Sequence, residues 1–106
     1  MKETLSAKQS RFAVMVGQLI DFAHKEGYRL TFGDAWAKTG HMDNSCHYIR
    51  LAVDFNLFTE KDGEWKYMTS TEAHEPLGIY WESIGGSWGG RFEDGNHYSL
   101  EHSGRR

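Results

Sequence analysis

Ser45-Cys46-His47-Tyr48-Ile49-Arg50-Leu51-Ala52-Val53-Asp54 sets a thiol, an imidazole and a carboxylate within an otherwise apolar run. From Leu51 onward the pattern is that of a strand. Leu51, Val53, Phe55 and Leu57 alternate with Ala52, Asp54 and Asn56, the period of two that sends successive side chains to opposite faces. Asp54 then falls on the less apolar face, and Ala52, two residues earlier on that face, leaves room beside it. An uninterrupted strand would hold His47 and Asp54 about 23 Å apart. The two can meet only if the chain bends near Tyr48 to Arg50. The plainer alternative is a chance histidine and an aspartate solvated at a sheet edge.

Working outward, Asp62-Gly63 separates this strand from Glu64-Trp65-Lys66-Tyr67-Met68, so TEKDGEWKYM predicts a hairpin. Upstream, residues 33–46 (GDAWAKTGHMDNSC) lack periodicity and are rich in turn formers, as in a surface loop that can carry function. Tyr28 to Phe32 reads as a further strand. Before it, Phe12, Met15, Val16, Leu19, Ile20, Phe22 and Ala23 recur at helical spacing, with Ser6 and Gln9 resembling a capping box and Lys25 and Gly27 suiting a helix end. Downstream, Thr69 to Ile84 predicts a second helix with Ser70 or Thr71 as cap, Pro76 near its start and Gly85-Gly86 at its end. In the glycine-rich, aromatic tail, His97 to Glu101 predicts a last strand. Residues 1–106 therefore read as a single α+β domain, a small antiparallel sheet packed with helices.

Bulk properties narrow the function. A chain of 106 residues is one domain by length, and 25% charged with 39% hydrophobic residues is a globular composition. A formal net charge of −3 with scattered basic residues lacks the electrostatic footprint of nucleic-acid binding. The apolar runs are far shorter than the roughly 20 residues of a bilayer span, and MKETLSAKQSRF lacks the apolar core of a signal peptide, so no integral membrane segment or export signal is expected. The single cysteine, Cys46, fits synthesis in a reducing cytoplasm. A monomer is expected.

Six histidines are available. His24 and His74 lie in polar helical surroundings and read as ordinary surface residues. His41, in the loop, and His102 give little reason for a role. His47 and His97 differ in context. In Glu93-Asp94-Gly95-Asn96-His97, Gly-Asn forms a turn, and a β-turn holds its first and fourth Cα within about 7 Å, so Asp94 and His97 face one site. Two neutral imidazoles and one carboxylate make a three-ligand zinc set with a fourth position left for water, the arrangement of a catalytic site. A further carboxylate, not a ligand, is then needed to take the proton of the attacking water and pass it to the leaving amine. A metal-free alternative makes Cys46 a thiolate nucleophile with His47 or His97 as its base, but gives Asp54 no role.

Ser45-x-His47-x-x-x-x-Ala52-x-Asp54 followed by Asp94-x-x-His97 resembles the signature of the zinc peptidases that include D-Ala-D-Ala carboxypeptidases and dipeptidases, phage L-alanyl-D-glutamate endolysins and, by fold, the hedgehog signalling domain. The resemblance runs from about Ser6 to His102, and RLAVDFNLF and SWGGRFEDGNHYSLEH look like the short phage branch. It implies that His47, Asp54 and His97 bind Zn2+ and that Asp94 is the catalytic base, with Glu93 the second choice. Relatives use an arginine in the preceding loop to grip substrate; here Ala37 and Lys38 stand near that place, and Lys38 or Arg50 is the candidate substitute. Ser45 is expected to order the loop and Cys46 to pack. The implied activity is cleavage of the peptide stem of bacterial peptidoglycan, first between L-Ala and D-Glu, second at D-Ala-D-Ala. The implied setting is phage lysis, with synthesis in the host cytoplasm and action on the cell wall after release. A zinc-containing binding module without turnover is the alternative from another class.

Overall fold

The computed structural model describes residues 3–35 and 46–104; Lys38, His41 and Ser45 lie outside them. Helix α1 spans Leu5–Lys25 and buries Phe12, Met15, Leu19 and Ala23, one stripe at helical spacing. Its cap is Thr4 and not Ser6: the Thr4 side chain accepts a hydrogen bond from the Ala7 amide, and Ser6 already lies inside the first turn. Gln9 is likewise not a capping partner, because its Nε2 donates to the Ile49 carbonyl at 2.8 Å and ties α1 to a distant turn.

Strand β1 (Tyr28–Phe32) pairs antiparallel with the long strand β2 (Ala52–Lys61), and β2 turns back into β3 (Glu64–Met68). The turn is the expected Asp62-Gly63, with both residues at positive φ, as the two-residue hairpin loop demands. The near half of β2 pairs instead with β5 (His97–Ser99), which in turn pairs with β4 (Ser87–Trp88). The result is a five-stranded antiparallel sheet in the order β1-β2-β5-β4, with β3 beside the far half of β2.

The second helix is shorter than the sequence suggests. Glu72–His74 form a 3₁₀ turn, and helix α2 runs only over Glu75–Ser83. Pro76 sets that start: it has no N–H to continue a helical ladder from upstream, but fits the first turn of a new helix. Ser70 still serves as a cap, its Oγ accepting from the Ala73 amide at the 3₁₀ turn. No described helix is long and apolar enough to cross a membrane.

The core joins α1, α2 and one face of the sheet. Phe12 meets Trp81 edge-on at 5.8 Å, Trp81 meets Tyr98 at 6.1 Å, and Tyr98 meets Phe55 at 5.9 Å. Trp81 is fully buried, and its Nε1 donates to the carbonyls of Ser87 and Ser99, so the indole satisfies its polar atom while fastening β4 and β5. Truncating such a side chain costs about 3–5 kcal/mol.

Candidate metal centre

The bend required between His47 and Asp54 is present. Cys46–Ile49 form a 3₁₀ turn, closed by the Leu51 amide on the Cys46 carbonyl at 2.9 Å and the Arg50 amide on the His47 carbonyl at 3.3 Å. Arg50 then takes a left-handed backbone, φ 57°, a conformation that costs a non-glycine residue roughly 1–2 kcal/mol. It redirects the chain into β2. Cys46 is buried and its thiol donates to the Leu100 carbonyl at 3.3 Å, a packing role as expected.

Asp54 is fixed from both sides. The Gly33 amide donates to its carbonyl and its own amide donates to the Asp34 carbonyl, each at 2.7 Å. On the opposite side β5 sets His97 across from Asp54, and paired residues share a face of the sheet. His97 enters β5 from the expected turn, since its amide donates to the Asp94 carbonyl at 3.1 Å.

Three further contacts hold that turn. The Asp94 amide donates to the Gly89 carbonyl at 2.9 Å, the Gly95 amide to Thr71 Oγ1 at 3.2 Å, and Trp88 Nε1 to the Gly95 carbonyl at 2.8 Å. Two glycines make this closeness possible. A Cβ on Gly89 would stand 2.2 Å from the Asp94 carbonyl oxygen, and one on Gly95 would stand 2.5 Å from the Thr71 Cα. Asp94 itself is exposed, next to Glu93, which is also exposed and has a left-handed backbone of φ 62°.

His47 Nε2 lies 3.1 Å from Asp54 Oδ1, His97 Nδ1 lies 3.3 Å from the same oxygen, and the two nitrogens are 3.2 Å apart. Both histidines are buried, and Asp54 is half-buried between them. Hydrogen bonding explains two edges of this triangle and leaves the third without an account: if both nitrogens carry protons toward the carboxylate, they face each other as two donors. Donors around a tetrahedral zinc at about 2.0–2.1 Å stand about 3.3–3.4 Å apart, and imidazole nitrogen with carboxylate oxygen is the donor set that ion takes. The residues present therefore fit a zinc ion. Burial works to raise the Asp54 carboxyl, but hydrogen bonds and charge from His47 and His97 outweigh it and hold it at about 2.

Arg50 is exposed on the reversal beside His47, and Lys38 lies outside the described residues. His24 is exposed as expected. His74 is not a surface residue: it is 2% exposed, with Nδ1 2.8 Å from the Tyr98 hydroxyl, and burial lowers its imidazole to about 4. Its polar neighbours Glu72 and Glu75 concealed this, whereas the spacing His74, Leu77, Gly78, Trp81 marks one buried helical face. The sequence reading also missed Phe92, whose ring lies 5.8 Å from that of His97.

A family model described as D-alanyl-D-alanine carboxypeptidase matches residues 38–100. No curated protein matches the chain. The family match spans both parts of the triangle, the turn and strand carrying His47 and Asp54 and the later turn carrying His97. Covering more than half of the 106 residues, it shows that the chain belongs to the D-alanyl-D-alanine carboxypeptidase family of peptidases.

Proposed function

We propose that the protein is a zinc-dependent peptidase that cleaves the peptide stem of bacterial peptidoglycan. The observation that carries this reading is the convergence of His47 Nε2, His97 Nδ1 and Asp54 Oδ1 within hydrogen-bonding distance of one another, in a chain of this family. These three atoms would hold the ion. Zinc supplies Lewis acidity, polarising a carbonyl and acidifying water. Asp54, held ionised at neutral pH, offsets part of the ion's charge. The Asp94 carboxylate, on the turn that delivers His97, takes the proton of the attacking water and returns it to the leaving amine. Arg50, exposed where the chain enters β2, and Lys38 are the candidate cations for gripping a substrate carboxylate.

The favoured bond lies between L-Ala and D-Glu, with phage-directed lysis as the setting: synthesis in the host cytoplasm, then action on the wall after release. The description of the matched family favours a second reading, removal of the terminal D-Ala. Bound metal and the turbidity of purified walls, measured with and without chelator, test the mechanism. About one zinc per chain and chelator-sensitive clearing are expected. Asp94→Asn should retain metal and lose about 10²–10⁴ in rate, whereas His97→Ala should lose both. Clearing that survives complete metal removal would overturn the mechanism, and metal binding without cleavage of any wall would favour a binding module. Mass spectrometry of the released fragments identifies the bond.

A further inference from the structure

The face of β2 that presents Asp54 continues past the triangle. Asn56 and Phe58 follow on the same face, about 7 and 13 Å from Asp54 along the strand. Flanking strands extend this face with a connected set of groups. Tyr67 is 57% exposed, its ring packs against Phe58 at 5.3 Å, and its hydroxyl donates to Asn56 Oδ1 at 3.3 Å. Asn56 Nδ2 donates to Thr31 Oγ1 at 3.2 Å, and the Arg29 guanidinium lies 4.0 Å over the Trp65 ring. Polar groups border the rings: Asn56 meets the Tyr67 hydroxyl, and the Arg29 guanidinium covers Trp65.

We propose that this face of β1, β2 and β3 is a carbohydrate platform that takes the glycan strand of the wall while the attached stem peptide enters the metal centre. The inference rests on the peptidase reading above. A sugar ring offers alternating C–H faces and hydroxyls, and the platform offers the exposed Tyr67 ring, backed by the half-buried Phe58, beside Asn56 and Thr31 to meet them. Continuity with the metal centre favours glycan over other occupants. A bond cut after the first stem residue is separated from its sugar by one residue, at most about 3.6 Å, and a short lactyl arm. That reach is enough to bring the sugar to Asn56, whose side chain meets the Tyr67 hydroxyl.

Calorimetric titration of the full chain with a β-1,4-linked N-acetylglucosamine tetramer tests the platform, alongside rates on intact walls and on a short sugar-free stem peptide. The tetramer should bind the wild type in the millimolar range. Tyr67→Ala should weaken it about five- to tenfold and lower the ratio of wall to free-peptide cleavage by a similar factor, while Tyr67→Phe, which keeps the ring, should retain most of both. No binding to the wild type, or equal binding by Tyr67→Ala, overturns the proposal. So does a dimer in sedimentation that Tyr67→Ala dissociates, since the face would then belong to a second copy. Failure of the peptidase reading looks different: the tetramer binds through Tyr67, but neither walls nor free peptide are cut.

Discussion

The two faces of β5 each carry a buried histidine environment, and they differ in kind. Toward the core, His74 meets one partner, the Tyr98 hydroxyl, and the pair is complete as a neutral hydrogen bond. Burial favours the uncharged forms of both groups, lowering the imidazole to about 4 and pushing the phenol upward. On the other face, His97 and His47 aim nitrogens at each other and at one carboxylate oxygen. Burial is common to both places; convergence of donors belongs to one. That convergence is what distinguishes the environment of His47 and His97 from that of His74.

The sharpest way to break this contrast is to exchange the consequences of mutation. Asp54→Asn should lower zinc affinity more than about 100-fold and abolish turnover while the metal-free chain stays folded. His74→Gln should bind zinc as the wild type does. Metal titration with circular dichroism reads both, and loss of zinc in the His74 variant would erase the distinction. A smaller effect is expected at Gly89. A Cβ there meets the Asp94 carbonyl oxygen at 2.2 Å and the His97 Cβ at 2.7 Å, so the turn must move. Gly89→Ala should cost about 1–3 kcal/mol and reduce activity beyond its effect on melting, as seen by kinetics below the melting range.

A pH dependence centred on His74 appears only on acidification. Its folded value of about 4 lies below the ordinary 6.5, so the unfolded chain takes up the proton more readily. Its contribution to stability is complete above about pH 6.5, declines as pH falls, and is gone near pH 4, a loss of about 2–3 kcal/mol. Denaturation midpoints across that window should fall more steeply for the wild type than for His74→Gln. Parallel curves would show that His74 is not buried neutral.

Much of this organisation was legible because it is local. The alternation from Leu51 to Leu57, the Asp62-Gly63 turn and the Asp94 to His97 turn each follow from a few adjacent residues, and each appears where expected. The spacing of His47 and Asp54 also forced a bend, which the 3₁₀ turn and Arg50 supply. What was not legible depends on distant partners. Gln9 matched a capping pattern but serves Ile49 instead, and His74 sat among polar neighbours while its environment is set by Tyr98. Thr4 displaced Ser6 as cap because either residue fits the local pattern, and the extended backbone at Thr4 decided between them.

The pairing of β5 with β2 also joins parts of the chain that lie far apart in sequence. His47 and Asp54 are brought together by a short turn, but the third side chain comes from 43 residues beyond Asp54, after β3, α2 and β4, and joins them only where β5 pairs with β2. A nascent chain or a proteolytic fragment lacking His97 carries only two of the three donors. On the peptidase reading proposed above, catalytic competence is thereby tied to completion of the sheet, and a partly folded chain would lack it.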